Sequence, residues 1–160
     1  MAGTGRRERK RKARTQAVSG AGSIAAKIGR FQSNIKKSWC ACVDSSIPAF
    51  SMSEKIRPGY VAAKRRGVRI RYVTEITREN LPRCKELMEF AELRHLGNVS
   101  GSFAVSEKEF VAGIRGKNGR QIAKLVYSSM PELVAAQQEM FETLWANAAP
   151  AQARIRELES

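Results

Sequence analysis

Few side chains in this chain are equipped for acid–base, nucleophilic or metal chemistry, and their spacing narrows the options further. There is one histidine, His95, followed by Leu96 and Gly97. A single imidazole cannot build a His-based metal cluster within one chain. Cys40 and Cys42 alternate with Trp39, Ala41 and Val43, so they share one face of an extended segment. Strand geometry spreads such a pair by about 7 Å, at or past the limit for a disulfide between them. Cys84 belongs to the apolar face of a helix. A redox pair or soft-metal site is the sharp reading. Three small buried hydrophobes is the plainer one, and it is favoured because the spacing lacks the usual zinc pattern. No metal and no cofactor are expected. Three cysteines also argue against a secreted disulfide framework and for a reducing, cytoplasmic setting.

The remaining polar candidates sit where strands are expected to end. Asp44, Ser45 and Ser46 follow the apolar run Trp39 to Val43, and Glu75 and Thr77 follow VRIRYVT. If those two strands are parallel neighbours, both groups lie on one rim of the sheet, where open α/β sheets place their ligands. Carboxylates and hydroxyls on a rim can bind a small polar molecule. Asp, Ser and Thr also cap helices and form turns everywhere, and the two readings stand level. Two rim carboxylates repel unless a cation or donor lies between them. Arg94 is the candidate donor, completing a ligand-binding set of Asp44, Ser45, Ser46, Glu75, Thr77 and Arg94. Replacing Asp44 with Asn is expected to change ligand response at little cost in stability.

These groups need elements to hold them. Ile24, Ile28, Phe31 and Ile35 recur at helical spacing, which predicts an amphipathic helix over residues 23–36. A short strand follows at 39–43, then a loop at 45–52 containing Pro48. A helix over 53–66 is delayed or kinked by Pro58-Gly59 and ends at Gly67, in the manner of a left-handed cap. It serves as the crossover that leaves strands 39–43 and 68–74 parallel. Asn80 caps a helix with Pro82 in its first turn. ELRHL, SFAVS and EFVAGI are strands. Lys117-Asn118-Gly119 is a hairpin turn and QIAKLVYS the returning strand. Ser129-Met130-Pro131-Glu132 reads as a capping box for a long helix to about Asn147, with Leu133, Val134, Met140, Phe141, Leu144 and Trp145 buried. Pro150 opens a last short helix. The sum is a single α/β domain with a mixed central sheet flanked by helices, ending in C-terminal helices.

The ordered run RRGVRIRYVTEIT, ENLPRCKELM, ELRHL and SFAVSEKEFVA, with WCACVDSSIP before it and LVYSSMPELVAAQQEMFETLWANAAPAQARIRELE after it, resembles the phospholipase-D-like sensory domain of archaeal sensor histidine kinases and sugar-sensing transcription regulators. The resemblance implies a regulatory input module, with a histidine kinase of a two-component system or a transcription-regulator module as its output partner. It also implies loss of catalysis. Active phospholipase D enzymes use a His-x-Lys motif with an Asp a few residues on, in which the His attacks phosphorus. In this chain the second residue after His95 is Gly97.

Charge divides the molecule. Residues 1–37 carry 11 basic and one acidic side chain, and residues 38–160 carry 18 and 14, so +10 and +4 make up the net +14. The segment 1–22 lacks aromatics and β-branched runs and is expected to be a disordered basic tail, leaving 23–160 as the domain. Arg6, Arg7, Arg9, Lys10, Arg11, Lys12 and Arg14 give it the means to hold nucleic acid or an anionic membrane without sequence specificity. A solvated tail, or a start codon placed too far upstream, is the plainer reading. No signal-peptide hydrophobic region and no membrane-spanning run are present. The expectation is therefore a non-enzymatic sensory module that binds an unknown small-molecule signal and passes it through its C-terminal helices. The alternative is a nucleic-acid-binding accessory protein acting through the tail.

Overall fold

Strict alternation in Ser38–Val43 (β2) sends Trp39, Ala41 and Val43 to one side of a sheet and Cys40 and Cys42 to the other, and both sides are buried. A strand covered on both faces belongs at the centre of its sheet. The computed structural model, which describes residues 14–117 and 122–160, puts it there. Arg69–Thr74 (β3) lies parallel on one flank, with Val43 opposite Thr74, and Glu92–His95 (β4) continues the parallel set. Ser102–Ser106 (β5) lies antiparallel on the other flank, followed by Phe110–Arg115 (β6) and Ile122–Ser128 (β7). With Thr15–Ser19 (β1) and Ala149–Pro150 (β8) at the edges, the eight strands run in the order β1-β7-β6-β5-β2-β3-β4-β8.

Helices cover the two faces unequally. Ala21–Asn34 (α1), Arg57–Arg65 (α3), Leu81–Leu87 (α4) and Ala151–Glu159 (α6) pack on the face carrying Trp39, Ala41, Ile70 and Tyr72. Pro131–Asn147 (α5) covers the opposite face through Val134 and Phe141, over Cys40, Cys42, Val73 and Val105. Cys84 belongs to the first layer and Cys40 and Cys42 to the second. All three are free and buried. Burial pushes the Cys42 thiol up to about 11 and Cys84 to about 12, which suits packing rather than nucleophilic chemistry. Among the described residues no group of His, Cys, Asp and Glu could hold a metal ion, and no helix is long and apolar enough to cross a membrane.

Several elements differ from the sequence expectation. Residues 15–19, assigned to the tail, form β1, which pairs with β7 from Thr15 opposite Ser128 to Ser19 opposite Lys124. Their side chains are mostly exposed, so hydrophobic patterning carries no trace of a strand held by its backbone. Arg14 lies at its start. Arg6, Arg7, Arg9, Lys10, Arg11 and Lys12 lie outside the described residues, as does the Asn118-Gly119 turn. The expected loop at 45–52 contains a helical turn, Ile47–Ser51 (α2), with Pro48 in its first turn. α3 starts at Arg57 rather than 53, since Pro58 fits only in a first turn. The capping box does not form. Met130 occupies the cap position of α5, Ser128 Oγ accepts from its N–H, and Ser129 Oγ accepts from Arg14 N. On α5, Met140 is exposed, and Trp145 is half-buried beside the fully buried Phe141.

Candidate functional site

The parallel register of β2 and β3 delivers Asp44 and Glu75 to the same rim, one residue beyond Val43 and Thr74. The rest of the rim departs from the expected set. Asp44 is 4% exposed and its carboxylate is filled by donors. Ser46 donates from its backbone N at 2.9 Å and its Oγ at 2.5 Å. Ser102 Oγ donates at 3.0 Å. Arg115, the last residue of β6, donates through Nε at 3.1 Å and forms an ion pair through Nη2. Burial works against ionisation of Asp44, but the donors from Arg115, Ser46 and Ser102 outweigh it and hold the carboxyl at about 2. The cation on this carboxylate is therefore Arg115. Arg94 is on other duty: its Nη1 donates to the Trp145 carbonyl at 2.8 Å, and its guanidinium lies 4.1 Å from the Trp145 ring centroid.

Of the rest of the predicted set, Thr77 bonds backbone through its side chain, and Ser45 and Glu75 contribute their carbonyls. Thr77 and Asn80 bond reciprocally, Thr77 N to Asn80 Oδ1 at 2.8 Å and Asn80 N to Thr77 Oγ1 at 3.2 Å, which is the capping reading of Thr77. Asn80 Nδ2 donates to the carbonyls of Ser45 (3.0 Å) and Glu75 (2.9 Å), so one buried amide ties the loops after β2 and β3 together. Asn80 occupies the cap position of α4 as the sequence suggested, but its side chain makes no capping hydrogen bond; it bridges the loops instead. His95 Nδ1 accepts from Ile76 N at 3.0 Å. Burial and the nearby Arg154 push its pKa down, in keeping with an Nδ1 that accepts rather than donates. Arg154 of α6 donates to the Ile76 carbonyl at 3.0 Å, which connects the same loop to the C-terminal helix.

Beside the Asp44–Arg115 pair opens a pocket of about 270 Å³, lined by Ala21, Ile24, Ser46, Ile47, Phe50, Arg115 and Ile122. A smaller, apolar cavity of about 70 Å³ shares Ile47, Phe50 and Ile122 with it and includes Trp39 in its wall. Trp39 Nε1 is buried and has no acceptor, an arrangement that ordinarily costs stability. Only Ser46 of the predicted ligand set lines the larger pocket. Arg115 was missed, although alternation along FVAGIR places it on the same face as the buried Val111. A basic residue ending the core face of a strand was its one sequence signal.

No family model and no curated protein matches the chain. Solved structures do. Nuc from Salmonella typhimurium, a phospholipase D family member, superposes with a TM-score of 0.71 at 17% identity, covering 87% of this chain and 98% of that one. TrmBL2, an archaeal chromatin protein with its own mode of DNA binding, gives 0.65 at 19% identity over 86% of this chain and 54% of that one. The chain thus spans about half the length of TrmBL2. Phosphatidylserine synthase from Haemophilus influenzae gives 0.56 at 13% identity, over 82% of this chain and 37% of that one. The likeness is one of architecture: the chain has the phospholipase-D-like fold, a fold found in enzymes and in a chromatin protein alike.

Proposed function

We propose that the chain is a non-catalytic regulatory input module that takes a small ligand in the pocket beside Asp44 and Arg115. The observation that carries this reading is the state of the rim. Its buried carboxylate is saturated by Arg115, Ser46 and Ser102, and the chain's one imidazole spends Nδ1 on a backbone N–H. Neither group is poised to attack a substrate. Next to them lies a largely apolar pocket with a guanidinium and a hydroxyl on one wall. Those walls suit a molecule with an apolar body and an anionic or hydroxyl-bearing end. Trp39, whose buried N–H has no acceptor, belongs to the wall of the smaller cavity next to it. Movement of the Ser45–Ser46 loop reaches α6 through Asn80, the Glu75–Ile76 backbone and Arg154, a chain suited to shifting the packing of the C-terminal helices. A ligand shifts that packing only by its difference in affinity for the two arrangements.

The test is a thermal-shift series on the full chain with hexanoate and glucose 6-phosphate as probes, against an Ala21→Trp variant. Ala21 is exposed at the pocket mouth, so Trp fills the space from α1, and an unchanged melting temperature of the variant without probe checks that the Ser46 and Arg115 contacts to Asp44 survive. A ligand at 100 times its Kd adds about 2.7 kcal/mol, a rise of several degrees in Tm, and the variant is expected to abolish it. Equal shifts in both proteins remove the pocket from the argument. Incubation with bis(p-nitrophenyl) phosphate is expected to give no turnover, and turnover that disappears in His95→Ala refutes the non-catalytic reading.

A further inference from the structure

The rim and its pocket lie at the carboxyl ends of the parallel strands. The opposite edge of the sheet carries a feature that the ligand-binding reading does not use. From Ala21 to Val43 the chain has four basic side chains (Lys27, Arg30, Lys36, Lys37) and no acidic one. From Arg57 to Thr74 it has six (Arg57, Lys64, Arg65, Arg66, Arg69, Arg71) and again no acidic one. The fold brings the ends of these two segments together. Arg66 Nη2 donates to the carbonyls of Gln32 and Ile35, both at 2.9 Å, and Arg69 N donates to the Lys37 carbonyl at 3.0 Å. Lys36, Lys37, Lys64, Arg65 and Arg66 are thereby gathered, all exposed, at the amino ends of β2 and β3. None of the five takes part in the ion pairs of the described residues. The basic side chains that do pair nearby are Arg69, with Glu92, and Arg71, with Glu142.

This edge also holds an oxyanion. The Glu107 carboxylate, from the turn between β5 and β6, accepts from three successive backbone N–H groups: Lys36 at 3.0 Å, Lys37 at 2.5 Å and Ser38 at 3.2 Å. Successive amides converging on one oxygen make an anion-binding concavity. A carboxylate fills it, and the surrounding cations exceed what that one charge neutralises.

We propose that this edge docks the phosphate backbone of double-stranded nucleic acid, without reading bases. Five clustered cations against one carboxylate complement a polyanion of regularly spaced charge. A membrane surface fits less well, because stable interfacial binding adds apolar anchors, and the exposed large apolar side chains among the described residues, Ile114, Met130 and Met140, are on β6, at the cap of α5 and along α5. A single strand fits less well too, since it is held by stacking on aromatic rings, and the rings closest in sequence, Phe31, Trp39 and Tyr60, are buried.

The experiment separates this surface from the basic segment 1–13. In the full chain, Arg6, Arg7, Arg9, Lys10, Arg11 and Lys12 are replaced by Gln. A second protein adds Lys36→Gln, Lys37→Gln, Lys64→Gln and Arg65→Gln. Anisotropy of a fluorescein-labelled 20-bp duplex is titrated from 50 to 200 mM KCl. The first protein is expected to bind the duplex. In the second, the slope of log K against log[KCl] is expected to be shallower by about 3–4, since each phosphate contact contributes about 0.9. If the second protein unfolds, because Lys64 and Arg65 sit in the last turn of α3 where cations favour the helix dipole, the Lys36→Gln/Lys37→Gln pair alone is expected to remove about 2 from the slope. An unchanged slope overturns the proposal. So does absence of duplex binding by the first protein at 50 mM KCl, or its binding to phosphatidylserine vesicles in preference to the duplex.

Discussion

Replacing Asp44 with Asn is the sharpest available test of the rim. The substitution keeps the shape and removes the charge that Arg115, Ser46 and Ser102 converge on. In the folded protein these donors lower the Asp44 carboxyl from its ordinary 3.8 to about 2. A drop of about two pH units, at 1.36 kcal/mol each, amounts to roughly 2–3 kcal/mol of stability at neutral pH. Leaving the buried donors short of an acceptor costs a similar 1–3 kcal/mol, so two routes give the same size of effect. The expectation from sequence, that the substitution would cost little, is thereby reversed. Because the folded value lies below the unfolded one, the contribution is complete above about 4 and is lost as pH falls towards about 2. Glu92 and Glu142 are lowered as well and add to the acid sensitivity of the wild-type protein, but they are common to both proteins and cancel in the difference. Urea unfolding followed by tryptophan fluorescence at a series of pH values from 7 to 2 gives that difference directly. A gap of roughly 2–3 kcal/mol at pH 7 that closes over the last two pH units is expected. A gap below about 0.5 kcal/mol at pH 7, the size of an ordinary surface change, or one that stays constant down to pH 2, refutes the account of Asp44.

Three further outcomes follow from the packing. A Cβ on Gly59 would lie 2.0 Å from Gln32 Oε1, and the Gln32 amide is buried and donates to the Ile56 carbonyl. Gly59→Ala should therefore lose roughly 1–3 kcal/mol in chemical denaturation, against a gain of about 1 kcal/mol in helix propensity alone, and a stabilised variant would show that Gln32 relocates freely. Removing residues 1–21 takes β1 away from β7 and is expected to lower stability by roughly 1–3 kcal/mol from the lost ladder, where composition alone predicted no loss; an unchanged melting curve would mean that the edge strand is dispensable. Phe141→Ala should cost about 3–5 kcal/mol and Trp145→Ala roughly 2 kcal/mol, because Phe141 is fully buried whereas Trp145 is half-buried and held mainly by Arg94, Arg71 and Phe141; equal losses in urea unfolding would contradict that ordering.

Local sequence determined whatever depends on near neighbours along the chain. The period of two in SWCACV and RIRYVT, with a helix between them, made two strands joined by a crossover legible, the connection expected between parallel strands. Given that the two strands are neighbours, Asp44 and Glu75 share a rim. The sharing of one face by Cys40 and Cys42, the helix after Asn80 and the final helix after Pro150 were legible for the same reason. What the tertiary structure decided is which distant groups meet. Arg115 reaches Asp44 across 71 residues only because β5 and β6 fall antiparallel beside β2, in a register set by the whole sheet. Arg94, nearer in sequence, was drawn instead to Trp145 on the other face. β1 was invisible because its pairing with β7 is made by backbone groups that every residue carries. A helix start at Asn80 could be read, but its side chain caps nothing and ties two loops together instead. Side-chain type and spacing declare what a residue can bond to, and long-range strand register determines which partner arrives.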